Sequence, residues 1–126
     1  MDTEWAWLAG FLDGDGCIIA KNPRGENTYF HVRVSFTQKD PTPLKRIVEL
    51  IGSGNIRCKG SLHHYHSLVY GNRVSAVILE KVMPFLVAKR EQAEQAWTII
   101  TAETTEEQAK ANEELKRLKH TYGECS

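Results

Sequence analysis

One stretch, Trp5–Gly16, limits what this chain can fold into more than any other. Its apolar side chains recur at helical spacing, which predicts a helix with one buried stripe: Trp5, Leu8, Ala9 and Leu12. Three small residues spaced four positions apart form a second stripe with almost no side chain: Ala6, Gly10 and Gly14. Glycine inside a helix costs about 0.5–1 kcal/mol relative to alanine, so this second stripe predicts the close approach of another backbone.

Two acids, Asp13 and Asp15, stand where Gly14 and Gly16 are expected to stop this helix. The C-terminal end of a helix disfavours anions, so these carboxylates need a compensating cation or hydrogen-bond donor. A metal ion is one candidate. An EF-hand calcium loop is disfavoured, because Cys17 and Arg24 would occupy its fifth and twelfth positions.

Length and composition predict one globular domain over residues 1–126 with a moderate core. The sequence has no apolar run that could span a bilayer, and its acidic start is unlike a signal peptide. Three scattered cysteines, Cys17, Cys58 and Cys125, make no disulfide framework. They therefore favour an intracellular, reducing compartment.

The net charge is zero, but its distribution is uneven. Between Cys17 and Ser75, nine basic residues stand against three acidic ones, whereas the flanks 1–16 and 91–126 are both acidic. This pattern indicates a basic surface on one face, as in nucleic-acid-binding proteins. A solvated sheet without a partner has the same pattern, so charge alone leaves that alternative open.

The rest of the chain predicts an antiparallel sheet covered by helices. Alternating residues indicate one strand pair over Cys17–Lys21 and Thr28–Gln38, and another over Asn55–Lys59 and His63–Tyr70. Four further helices are predicted: one opened by Asp40–Pro43 and ended by Gly52, one from Asn72 or Ser75 to Pro84, one over Phe85–Ile100 and one opened by the capping box Thr104–Glu107. The order α-β-β-α-β-β-α-α-α predicts an α+β fold with a four-stranded sheet and helices on one side.

The segment Leu8-Ala9-Gly10-Phe11-Leu12-Asp13-Gly14-Asp15-Gly16 resembles the signature of the LAGLIDADG homing endonucleases. This signature is specific because it couples an apolar stripe, a stripe of small residues and a terminal carboxylate. We call the stripe of small residues, Ala6, Gly10 and Gly14, the glycine seam. The predicted element order is also similar to the αββαββα core of that family, with extra C-terminal helices here. The resemblance implies a saddle-shaped sheet that lies along a DNA duplex.

A single glycine seam cannot bury itself, and a homodimer with a two-fold axis is the simplest way to cover it. Such pairing brings two copies of Asp15 together, and two carboxylates repel unless a divalent cation lies between them. Oxygen ligands favour Mg²⁺ over zinc, and Mn²⁺ or Ca²⁺ could occupy the same site. The resemblance implies that such a dimer cuts both strands of a long pseudo-palindromic DNA target, leaves 3′ overhangs and belongs to a mobile intron or intein. Family members of this kind occur in organelles and prokaryotes.

The resemblance also implies individual roles. Asp15 matches the metal-binding acid, and Gly14 matches the residue whose backbone carbonyl lies near the metal. Gln38 matches a residue that orders active-site water, and Lys89 matches a lysine that stabilises charge near the scissile phosphate. Asp13 matches an acid that ties helix ends together, and the implied dimer interface comprises Ala6, Gly10, Asp13 and Gly14.

The sequence departs from the family pattern at one place. Related dimeric enzymes often carry a further basic residue shortly after the glutamine, where Pro41–Pro43 stands here. Lys45 or Arg46 could substitute only if the helix points one of them inward.

Polar side chains on the predicted outward face of the sheet are the candidates for base contacts. Arginine and lysine suit guanine edges, and serine, asparagine and histidine both donate and accept. About half of such residues are expected to contact only phosphate or water. The predicted set is Lys21, His31, Arg33, Ser35, Arg57, Lys59, His64 and His66, with Arg24 and Asn27 at the hairpin tip.

Several alternatives remain open on the sequence alone. Cys58, His63, His64 and His66 are ligand-type residues across one hairpin, although alternation places His63 on the opposite face from the other two histidines. The three tryptophans could stack on bases, but their helical spacing favours core or interface packing. A chain of this fold could also be a cleavage-inactive nucleic-acid binder, such as an RNA-splicing maturase or a DNA-binding regulator, or a protein-interaction domain.

Overall fold

The structure, a computed structural model, describes residues 2–21, 30–60 and 64–122. The helices are α1 (Asp2–Asp15), α2 (Thr42–Ile51), α3 (Asn72–Val82), α4 (Arg90–Thr101) and α5 (Thr105–Tyr122), with a short 3₁₀ turn at Met83–Phe85. The strands are β1 (Gly16–Lys21), β2 (His31–Gln38), β3 (Ile56–Lys59) and β4 (Tyr65–Tyr70). This order confirms the predicted α+β fold.

The four strands form one antiparallel sheet in the order β1-β2-β4-β3. One face of the sheet packs against buried side chains of all five helices, and this layer is the core. The strand side chains in that layer alternate with polar neighbours, as a half-buried sheet requires. They are Ile18, Val32, Val34, Phe36, Leu68 and Tyr70.

Helix α1 turns into β1 without a connecting loop. Gly16 makes this turn possible, because a Cβ atom there would lie 2.9 Å from the Cα of Leu12. Leu8 and Leu12 are fully buried below the helix. Along its flank, the Trp7 ring stacks on Phe11 at 5.6 Å between centroids, and Phe11 stacks on Phe36 of β2 at 5.7 Å. These contacts fix the end of α1 beside the end of β2.

Side chains from two helices satisfy backbone donors in the first half of β2 and just before it. The N–H of Val34 donates to Ser75 Oγ at 3.0 Å, and the N–H of Val32 donates to Asn72 Oδ1 at 2.8 Å. The N–H of Phe30 donates to Gln108 Oε1 at 3.0 Å. Buried backbone donors are costly when unpaired, which explains why polar Ser75 and Gln108 are buried here.

Three expectations from the sequence need correction. The helix expected from Phe85 begins at Arg90, because Pro84 lies in the 3₁₀ turn and Leu86 is extended. His64 precedes β4 rather than lying within it. Cys17 is disulfide-bonded, contrary to the expectation of reduced cysteines, whereas Cys58 is free and exposed.

Some predictions concern residues outside the described ranges. They include the hairpin tip with Arg24 and Asn27, the start of the second strand at Thr28, and the positions His63 and Cys125. At the other end of the chain, the predicted capping box is confirmed, since Thr104 Oγ1 accepts the N–H of Glu107 at 3.2 Å.

Candidate active site and nucleic-acid interface

Asp15 and Gln38 meet where α1 and β2 end. Asp15 is exposed, and its Oδ2 accepts a hydrogen bond from Gln38 Nε2 at 2.8 Å. The register explains the meeting, because Gly16 pairs with Phe36 and so places the residues just beyond this pair side by side. An exposed carboxylate with an amide holding one oxygen leaves the other oxygen open to a ligand from solvent.

Asp13 points the other way and ties α1 to the start of α4. Its two carboxylate oxygens accept the backbone N–H groups of Val87 at 2.8 Å and Lys89 at 2.9 Å. Lys89 Nζ in turn donates to the backbone carbonyl of Asp13 at 2.8 Å. A cation at the C-terminal end of a helix is favourable, as is an anion at the start of one, so both contacts suit the helix dipoles.

These contacts define what we call the Asp13–Lys89 clasp. Lys89 is only 3% exposed, so its ammonium group lies inside the fold of a single chain. The three predicted catalytic side chains are therefore arranged as a contacting pair, Asp15 with Gln38, and a lysine buried against the same helix end. The clasp also explains why residues 86–89 are not part of a helix.

Neither candidate for the missing basic residue contacts this pair. The Arg46 guanidinium lies over the Trp7 ring, 5.1 Å from its centroid. Trp7 is eight residues before Asp15, which is about 12 Å along a helix.

Hydrogen bonds from Thr42 hold the pKa of the Asp40 carboxyl below its usual range, and the nearby charges of Lys45 and His66 lower it further. The side chains of Lys45 and Arg46 are both exposed.

The glycine seam lies on the surface of the single chain. Gly10 and Gly14 are exposed, and a Cβ atom at either would meet no other atom within 4 Å. Ala6 is half-buried. Two exposed apolar residues follow α3 close to the end of α1: Val87, which is 84% exposed, and Phe85. Sequence reasoning missed these two, because it placed them inside a regular helix.

The strand face turned away from the helices, here called the open face, is polar and basic. Ladder partners share a face, so the register identifies its members. They are Cys17, Ile19 and Lys21 on β1, His31, Arg33, Ser35 and Thr37 on β2, Tyr65, Ser67 and Val69 on β4, and Arg57 and Lys59 on β3. Six of the predicted contact residues, Lys21, His31, Arg33, Ser35, Arg57 and Lys59, lie on this face.

The prediction that His66 joins them is wrong, whereas His64 precedes β4 and the register assigns it to neither face. His66 pairs with Gln38 and Cys58, on the side that Leu68 and Tyr70 turn to the core. Its ring nitrogen Nδ1 lies 2.9 Å from the Lys39 carbonyl oxygen. A strand alternates with a period of two, so burying Leu68 and Tyr70 sends His66 inward and Tyr65, Ser67 and Val69 outward. The apolar pair was the signal in the sequence that could have fixed this face.

The zinc site considered from the sequence has no counterpart in the part of the chain that the structure describes. No three His, Cys, Asp or Glu side chains there are placed to share a metal ion. His64 Nδ1 lies 3.9 Å from Cys58 Sγ.

Trp5, Trp7 and Trp97 are half-buried against the core, as predicted from their spacing. Within the described ranges, no helix has the length and apolar character needed to cross a membrane.

Comparisons with known proteins show the family to which the chain belongs. The family model described as LAGLIDADG endonuclease matches residues 8–91. The chain is 36% identical over 103 residues to DNA endonuclease I-CvuI of Chlorella vulgaris, covering 77% of this chain and 63% of that protein. It is 34% identical over 100 residues to DNA endonuclease I-CreI of Chlamydomonas reinhardtii, covering 75% of this chain and 60% of that protein.

Solved structures show the same fold. A crystal structure of I-CvuI with its DNA target in the presence of calcium superposes with a TM-score of 0.74 at 26% identity, covering 93% of this chain and 82% of that one. The chain belongs to the LAGLIDADG endonuclease family. It spans about three fifths of the length of the two curated relatives.

Proposed function

We propose that this chain acts as a homodimeric, site-specific DNA endonuclease of one domain, 1–126, associated with a mobile intron or intein. It would cut both strands of a long pseudo-palindromic target and leave 3′ overhangs. One observation carries the proposal: the Asp15–Gln38 pair lies at the end of an exposed glycine seam, beside a basic sheet face. Both curated relatives are DNA endonucleases, which supports the same reaction class here.

The donor set at this helix end fits a divalent cation with oxygen ligands. Asp15 of each copy, together with the Gly14 carbonyl, would hold Mg²⁺, because carbonyls in the last turn of a helix lack intrahelical partners. Mg²⁺ needs only one or two carboxylates when phosphate and water supply its remaining ligands. When bound, the cation supplies charge neutralisation and an activated water for attack on the phosphodiester.

The remaining residues have supporting roles in this proposal. The Gln38 amide holds Asp15 in position and orients water, and Lys89 stabilises the charge that develops near the phosphate, acting from the clasp. The basic and polar residues of the open face contact each half-site, joined by Arg24 and Asn27. His66 lies on the helix side and is left out of this set, and His64, which precedes β4, stays in it as the sequence predicts.

Selection for cleavage tests the proposal most directly. The protein is incubated with Mg²⁺ and a library of randomised duplexes, and the cut ends are sequenced. We expect one enriched pseudo-palindromic target with 3′ overhangs and no cutting in a chelator. Enrichment of bound but intact duplexes or RNA would instead support the cleavage-inactive alternative, and no enrichment at all would favour a protein-interaction domain.

Dimerisation through the seam gives a second expected result. Gly10→Leu should convert the dimer into a monomer in sedimentation experiments, because a bulky side chain prevents close approach of two helices. The monomer should fold at least as well as wild type, since leucine favours a helix more than glycine does by up to about 1 kcal/mol and the added Cβ meets open space.

Ala109→Leu provides the matched control, because Ala109 is an exposed small residue on α5, away from the seam. This variant should remain dimeric. A Gly10→Leu protein that sediments as wild type does would contradict pairing through α1.

A further inference from the structure

Val69 is the more exposed of the two aliphatic side chains on the open face, the other being the half-buried Ile19. Val69 is 50% exposed and lies directly opposite Ser35 in the β2–β4 ladder. It lines a shallow depression whose other described side chains are basic or polar: Arg33, Asn55, Arg57, Lys59 and Ser67. Among these, Val69 is the only aliphatic side chain.

The chemistry of this depression points to an occupant with negative charge, hydrogen-bonding edges and one apolar group. Arg33, Arg57 and Lys59 supply three positive charges, and Ser67 and Asn55 supply donors and acceptors. In the major groove of duplex DNA, guanine presents two acceptors that match an arginine fork, and thymine alone presents a methyl group. An aliphatic side chain beside arginines therefore matches a thymine next to a guanine.

We propose that Val69 contacts the 5-methyl group of a thymine in each half-site, beside a guanine contacted by Arg33 or Arg57. This inference rests on the proposed function, since it requires that the open face meets duplex DNA. Tyr65, at the Lys59 end of the same strand, carries a hydroxyl group and is less exposed, at 37%, so it is the weaker candidate. Val69 thus becomes a residue that determines specificity.

The test removes the methyl group from the DNA and then its partner from the protein. Duplexes bound by the wild-type protein in Ca²⁺ are selected from a random library, and each conserved thymine is replaced by uracil. We expect one thymine per half-site at which replacement by uracil raises the Kd about four-fold. This factor corresponds to the free energy of burying one carbon atom. In Val69→Thr, which keeps the branched shape but replaces a methyl with a hydroxyl, this penalty should fall below about two-fold.

Val77→Thr is the matched control, because Val77 is also 50% exposed but lies on α3, on the far side of the sheet. This variant should keep the full uracil penalty. A selected target without a uracil-sensitive thymine, or an equal penalty in wild type and Val69→Thr, overturns this inference and leaves the proposed function standing. Failure of the wild-type protein to enrich any duplex contradicts the proposed function itself.

Discussion

Asp15→Asn should lower the rate of DNA cleavage at least a thousand-fold while leaving DNA binding close to that of the wild type. Asparagine keeps an oxygen that can accept the hydrogen bond of Gln38, so the local geometry survives. It removes the negative charge that a divalent cation requires, and metal ions contribute several kcal/mol to the transition state, where each 1.36 kcal/mol is a factor of ten. Single-turnover cleavage of the selected target, with binding measured in parallel, gives both quantities.

The matched control is Asp2→Asn, which makes the same chemical change at the opposite, exposed end of α1. We expect it to cleave at the wild-type rate. If Asp15→Asn cleaved within ten-fold of wild type, the carboxylate would have no place in the reaction and the proposed metal ligands would have to be abandoned.

Asp13→Ala should be the more destabilising of the alanine substitutions at the two aspartates, lowering the free energy of unfolding by about 2–4 kcal/mol. The substitution deletes the acceptor of two backbone N–H groups, those of Val87 and Lys89. Hydrogen bonds to a charged group contribute about 1.5–3 kcal/mol each. Losing the acceptor is most costly for the part-buried N–H of Lys89, because water can reach the N–H of exposed Val87. Lys89 Nζ would keep only its contact with the backbone carbonyl of residue 13 among the contacts described for the clasp.

Urea unfolding of the two aspartate variants measures the contrast between them. Asp15→Ala serves as the control, because Asp15 is exposed and contacts a side chain rather than backbone donors, so its stability should stay near that of wild type. Asp13→Asn should fall between the two, since it keeps one acceptor oxygen. Equal stabilities for Asp13→Ala and Asp15→Ala would show that the clasp does not hold α4 in place.

Local patterns in the sequence predicted the elements that depend on neighbouring residues. The apolar stripe of α1, the alternation of β2 and the capping box before α5 each follow from spacing within one segment, and the structure has all three. The element order then fixed the four-stranded sheet.

The errors arose where a distant contact decides the outcome. The start of α4 depends on Asp13, which lies more than seventy residues away and binds the extended backbone at Val87 and Lys89. The inward orientation of His66 depends on which of its strand neighbours pack in the core. The position of the Arg46 guanidinium depends on the Trp7 ring of another helix. The contacts of Asp13 and Arg46 have no signature within their own segments, whereas the face of His66 could have been predicted from Leu68 and Tyr70 in its own strand.

In the proposed function, the two aspartates at the end of α1 have separate roles, one structural and one chemical. One faces inward and holds the protein together, while the other faces solvent and is available for reaction. A lineage with the proposed activity could therefore lose cleavage through one substitution at Asp15 and still inherit an intact scaffold for binding nucleic acid. Descendants of such nucleases with purely regulatory or RNA-directed roles would be within reach of a single mutational step.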